Sequence, residues 1–174
     1  MRVKSWVGVA AVSLVWLCDG LASADGQRCV RLTLPENVEF FSDLGRVIQR
    51  IYDRSPTFRS QCARIAGASN LRVRVHIDTR IPRVCRALTV VKRQGFEIRA
   101  DVHLPPGTDY SELIGHEFEH LLEQIEGLDL RRLARVRGSG VWSVEREMFE
   151  SVRAQDAGKV VAAEYYKSHA RATD

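Results

Sequence analysis

Five consecutive residues, His116-Glu117-Phe118-Glu119-His120, carry the densest chemistry in this 174-residue chain. They read H-E-x-x-H. A helix advances about 100° per residue, so side chains four apart share a face, roughly 5–6 Å apart at Cβ. Two imidazoles so placed can bind one Zn²⁺ through their ring nitrogens. The glutamate beside the first His then lies within reach of a metal-activated water and can take its proton. The expectation is zinc-dependent hydrolysis, with His116 and His120 as ligands and Glu117 as general base. The plain alternative is a helix whose His and Glu side chains only meet solvent or neighbours.

The flanking residues favour a helix. Leu113-Ile114-Gly115 precede the string and Leu121-Leu122 follow it. Pro105-Pro106-Gly107 marks a turn, Asp109 with Glu112 resembles a capping box, and Gly127 stands where a C-terminal cap belongs. These signals bracket a helix of roughly 17 residues with both His near its middle.

Catalytic zinc keeps three protein ligands and one open position, so a third ligand is needed. A His placed six residues after His120, beyond a chain-turning Gly, is missing: those positions hold Glu126 and Glu123. Without the Gly the helix continues, and Glu126 points away. Glu123 is nearer the His face, but sharing the helix makes closing a tetrahedron awkward, and it reads as an exposed helix charge. The remaining source is downstream, where Val141 to about His169 reads as one long helix offering Glu145, Glu147 and Glu150. At 100° per residue, Glu145 falls within a broad stripe of Val141, Val144, Met148, Phe149 and Val152. Glu150 shares a second stripe with Ala154, Ala157, Gly158 and Val161. Small residues let two helix axes approach, which is what a glutamate needs to reach a metal on the neighbouring helix. Glu150 is therefore preferred, with Glu145 as runner-up.

The pieces Leu113 to His120 and Phe149-Glu150-Ser151, followed by Ala154, Ala157 and Gly158, resemble small exported bacterial zincin-like proteins. They are similar in general design to gluzincin-type metallopeptidases. The resemblance covers about the last 65 residues and implies a His-His-Glu zinc site completed by Glu150. In that pattern an acidic residue stands four positions after the ligand glutamate; here the position holds Ala154. A carboxylate to orient a ligand His is thus left unassigned.

Before this helix, Phe41 to about Ala68 has helical periodicity, interrupted at Ser55-Pro56, so two helices are expected. Leu71 to Ile77 alternates as a strand. Ala87 to Lys92 reads as a second strand, and Gln94-Gly95 turns into a third, Phe96 to Leu104, expected to line the cleft. Leu128 to Val136 reads as a short helix and Gly138-Ser139-Gly140 as a break. The expected class is α+β and zincin-like: a small antiparallel sheet packed against the H-E-x-x-H helix and a long C-terminal helix.

The first 24 residues read as a signal peptide rather than as part of the fold. Arg2 and Lys4 form a basic start, Trp6 to Leu17 is apolar, and Ala22-Ser23-Ala24 is an A-x-A cleavage signal. A single domain over 25–174, exported to a periplasm or beyond and without stable membrane insertion, is the expectation. Cys29, Cys62 and Cys85 remain after cleavage, and a Cys62–Cys85 disulfide is the expected pairing. The net charge of +4 is spread along the chain. Arg72, Arg74 and Arg80 sit as outward strand residues would, and Arg131, Arg132, Arg135 and Arg137 as a solvated face. A nucleic-acid role would need a basic stripe with stacking aromatics, and that pattern is missing.

The functional expectation is an exported zinc metallopeptidase acting on a peptide or protein. A zinc-binding zincin-fold scaffold without turnover is the alternative, and a metal-free exported interaction protein is the third reading. Tyr165, Tyr166, His169 and His103 are oxyanion-donor candidates by chemistry alone.

Overall fold

A four-stranded sheet, with two alternating strands at its centre, makes the frame on which the site is hung. The computed structural model describes residues 34–41, 44–81 and 85–170. The expected signal peptide and Cys29 lie outside the described residues. β1 (Val38–Phe40), β2 (Leu71–Ile77), β3 (Leu88–Gln94) and β4 (Glu97–Leu104) form one sheet in the order β1-β2-β4-β3. In β2, Leu71, Val73 and Val75 are buried while Arg72 and Arg74 are exposed; in β4, Ile98, Ala100, Val102 and Leu104 are buried. This period-two pattern buries one face of the sheet and leaves the other outward.

The sheet is mixed, not antiparallel as expected. β1 pairs parallel with β2, and β2 parallel with β4; only β3 runs antiparallel, on β4. Parallel neighbours need a crossover. α1 (Leu44–Arg54) and α2 (Pro56–Gly67) supply the one between β1 and β2. The break between them is Ser55, whose Oγ accepts from Phe58 N at 3.0 Å, with Pro56 opening the second helix.

α3 (Tyr110–Ile125) follows β4. Asp109 caps it, accepting from Ser111 N at 2.9 Å, but Glu112 pairs with Arg86 at 2.6 Å instead of completing a capping box. Gly127 ends it at φ 74°, with Gly127 N donating to Gln124 O and Leu128 N to Glu123 O, a Schellman motif. Leu113, Ile114, Phe118, Leu121 and Leu122 join Ile48, Ile51, Phe58, Val73, Val75 and Val102 in one buried core.

The C-terminal third departs from the expected single long helix. α4 is one turn, Leu130–Leu133. Residues 141–151 form a hairpin, β5 (Val141–Glu145) and β6 (Met148–Ser151), and only then does α5 (Val152–Ala170) begin. Val141, Trp142 and Val144 are β-formers, which favours a strand although the same apolar residues also fit a stripe on a helical plot. The turn at Arg146-Glu147 places Glu147 at φ 65°. α5 packs tightly on α3: a Cβ at Gly115 would lie 2.7 Å from Val161 Cγ2, and one at Gly158 2.7 Å from Glu112 O. The small-residue seam is real, although Glu150 itself sits on the hairpin.

The expected Cys62–Cys85 bridge is not formed; both are free thiols. Cys62 is enclosed in the core on α2, where burial pushes its thiol up to about 12. Cys85 instead borders a cleft beside α3. Among the described residues no helix is long and apolar enough to cross a membrane.

Candidate functional site

The middle of α3, the end of β6 and the edge strand β3 meet around one open cleft of about 590 Å³. His116 and His120 stand one turn apart on α3, with ring centroids 4.9 Å apart and planes at 80°. Glu150, near the end of β6, reaches both: Oε2 is 3.3 Å from His116 Nε2 and Oε1 is 3.3 Å from His120 Nε2. The three candidate ligand atoms lie within 4.8 Å of one another.

Each imidazole Nε2 stands 3.3 Å from a different Glu150 oxygen, longer than an ideal charge-assisted hydrogen bond and close to an edge of a zinc tetrahedron. Charge-assisted N–H···O bonds close to about 2.7–2.9 Å. Bonds of about 2.0–2.1 Å to zinc make a tetrahedron with edges of about 3.3–3.4 Å. The donor set of two imidazoles and a carboxylate is likewise that of a catalytic zinc site. The residues present therefore fit the ion. Burial pushes the Glu150 carboxyl up, but hydrogen bonds from His116 and His120 outweigh it and hold the group well below the usual carboxylate range.

Behind His120 stands a residue that sequence reasoning misplaced. Glu123, read as an exposed charge, is 1 % exposed. Its Oε2 is 2.7 Å from His120 Nδ1, and its Oε1 accepts from Ser151 Oγ at 2.6 Å. A carboxylate only accepts, so His120 keeps a proton on Nδ1, and Nε2 is the atom that would give up its proton to a metal at the shared point. Burial alone would lower the His120 pKa; the Glu123 and Glu150 carboxylates outweigh that and raise it to about 10. Ser151 Oγ also accepts from Ala154 N at 3.0 Å, starting α5. One serine thus ties the helix start to the carboxylate that orients His120. The signal was present: Glu123 is three residues beyond His120 and seven beyond His116, on the same helical face.

Glu117 is buried against β3, where Thr89 Oγ1 donates to its Oε2 at 2.6 Å. Burial raises its pKa, opposed by the charges of His116 and His120 and by Thr89. Glu119 serves the scaffold, accepting from Gln61 Nε2 at 2.7 Å and Arg153 Nε at 2.6 Å.

Glu145, the runner-up ligand, lies exposed on β5 outside the converging atoms. Glu147 borders the cleft but pairs with Arg131. Glu126 is turned to Arg153 and Arg64. Three of the proposed oxyanion donors are elsewhere: Tyr166 donates to Asp109, Tyr165 packs under Arg54, and His103 contacts His76 and Asp78, while the side chain of His169 lies outside what is described. The cleft is lined by β3 rather than by the expected β4. Leu88, Thr89 and Val91 form that wall, Met148 and Phe149 face it from the hairpin, and Arg86 borders it paired with Glu112.

Comparisons of the chain with protein-family models, with curated proteins and with solved structures return no match.

Proposed function

We propose that this chain is an exported zinc-dependent metallopeptidase of zincin-like design. The observation that carries the reading is the convergence of His116, His120 and Glu150 beside a buried Glu117 at the floor of an open cleft. Supporting it is the sheet edge: β3 is the terminal strand of the order β1-β2-β4-β3, so among the described residues one side of its backbone has no strand partner where it borders the cleft. An extended peptide can add to such an edge through main-chain hydrogen bonds, with alternate side chains entering the cleft.

His116, His120 and Glu150 would hold the zinc, with Glu123 orienting His120. A zinc ion there supplies Lewis acidity, which lowers the pKa of water and polarises a carbonyl. Glu117 then takes the proton of the attacking water and gives it to the leaving amine as the C–N bond breaks. Thr89 holds the carboxylate for both transfers. Its burial favours proton uptake, which suits a base that must next act as an acid.

The N-terminal sequence pattern supports export, with the chain acting in a periplasm or outside the cell. The test is turnover of a mixed peptide library by the zinc-loaded chain, with Glu117→Gln as control. Expected is cleavage that falls by about 10²–10⁴ in the variant while zinc is retained. Cleavage unchanged in Glu117→Gln would refute the base, and zinc binding without turnover by the wild type would leave the scaffold reading in its place.

A further inference from the structure

A second convergence of ligating side chains lies on the other face of the sheet. His76 and His103 are register partners on the parallel strands β2 and β4. Their neighbours Val75 and Val102 point into the core shared with α3, so alternation turns both imidazoles outward, away from the cleft. Asp78 follows β2, and its N–H donates to Leu104 O at 2.8 Å, which fixes the backbone beside the pair. We propose that His76, His103 and Asp78 form a second binding site for a divalent transition metal.

The atoms are already gathered. His76 Nε2 is 3.0 Å from His103 Nδ1, which is 3.0 Å from Asp78 Oδ2, and all three lie within 4.8 Å of one another. The other Asp78 oxygen is committed elsewhere, since Oδ1 accepts from Arg80 N at 2.8 Å. Oδ2 is thereby aimed at the rings. The His76 ring is backed edge-on by Phe41 at 6.2 Å.

The proton arithmetic favours a cation. With neutral rings no proton placement serves all three atoms: a proton on His103 Nδ1 must be shared between His76 Nε2 and Asp78 Oδ2, and one on His76 Nε2 leaves Asp78 Oδ2 facing a lone pair. A metal ion satisfies all three lone pairs at once. The present spacing is closed around a proton. Zinc bonds of about 2.0–2.1 Å need edges of about 3.3–3.4 Å, so the two contacts at 3.0 Å would have to open by a few tenths of an ångström. Two imidazoles and one carboxylate select zinc, nickel or copper over calcium or magnesium, which require oxygen-rich shells. The side chains of His103 and Asp78 are 21 % and 13 % exposed, which leaves a route for a hydrated ion and a position for water. Nearby Arg74 is neutralised by Asp101 at 2.7 Å. Bound there, a metal would clasp the ends of β2 and β4.

The test is a zinc titration of the full chain, read by the ring ¹⁵N resonances of its 5 histidines. Expected are saturable shifts of His76 and His103, reversed by chelator, and their loss in Asp78→Ala and in His103→Ala. Rings of His76 and His103 that stay unmoved in excess zinc would overturn the proposal, as would shifts that survive both substitutions. The outcome is independent of the cleft, because His116 and His120 report that site through their own resonances.

Discussion

Glu123 Oε2 lies 2.7 Å from His120 Nδ1, and the opposite oxygen of the same carboxylate holds Ser151 Oγ at 2.6 Å. The contact fixes the tautomer and rotation of a candidate ligand from behind. It is buried, so water cannot replace it. Glu123→Ala should weaken zinc binding by about 10–100-fold. Loss of the buried hydrogen bonds should also cost about 1–3 kcal/mol of stability. Competition against a chromophoric chelator, beside a urea melt, checks both; an unchanged affinity would remove Glu123 from the site.

Glu150 and Glu145 face different surroundings although both belong to one hairpin. Glu150→Ala removes the carboxylate 3.3 Å from each imidazole Nε2 and should abolish tight zinc retention through gel filtration. Glu145→Ala should leave retention as it was, because Glu145 is exposed and outside the cluster. The reverse order would hand the ligand role to Glu145.

Gly158 sets the distance between the site helix and α5. A Cβ there would sit 2.7 Å from Glu112 O and 3.0 Å from the His116 Cβ. Helix propensity alone says that Gly→Ala stabilises by about 1 kcal/mol. The close approach reverses the sign: Gly158→Ala should destabilise by about 1–3 kcal/mol and displace His116. Thermal melts of the variant decide between them; a raised midpoint would show that the seam is looser than described.

Glu164, on α5, caps the start of α2. It accepts from Ser55 Oγ at 2.6 Å, Thr57 N at 3.0 Å and Thr57 Oγ1 at 2.9 Å. Burial raises its pKa, but these donors outweigh burial and hold the carboxyl below its ordinary 4.5. A carboxyl depressed on folding adds stability above its unfolded value, and that gain is lost as pH falls through the folded one. Glu164→Gln should therefore cost about 1 kcal/mol near neutral pH, once solvent screening is allowed for. Its stability should converge with that of the wild type below the folded pKa. A difference that persists in strong acid would contradict the assigned charge.

Much of this was readable from local chemistry. Asp109 and Gly127 bracket α3 because a cap and a left-handed turn are local requirements, and Ser55-Pro56 divides α1 from α2 for the same reason. What failed depends on distant partners or on ambiguous periods. β1 is three residues long, and its parallel pairing with β2 exists only after two helices have crossed over. The β5–β6 hairpin turns at Arg146-Glu147, without the Asn-Gly or Asp-Gly that would announce it. Its apolar residues also fit one side of a helix. Glu150 converges with His116 and His120, but it reaches them from β6 and not from the helix whose small residues pointed to it. Glu123 was lost to a composition rule, that glutamate stays in water; position on the His face was the better guide.

The account stands on a metal held jointly by α3 and β6. Anomalous diffraction at the zinc edge, from crystals of the zinc-soaked chain, tests it most directly. The account predicts a peak about 2.0–2.1 Å from His116 Nε2, His120 Nε2 and a Glu150 oxygen. A well-ordered cleft with no peak between those three side chains would contradict it.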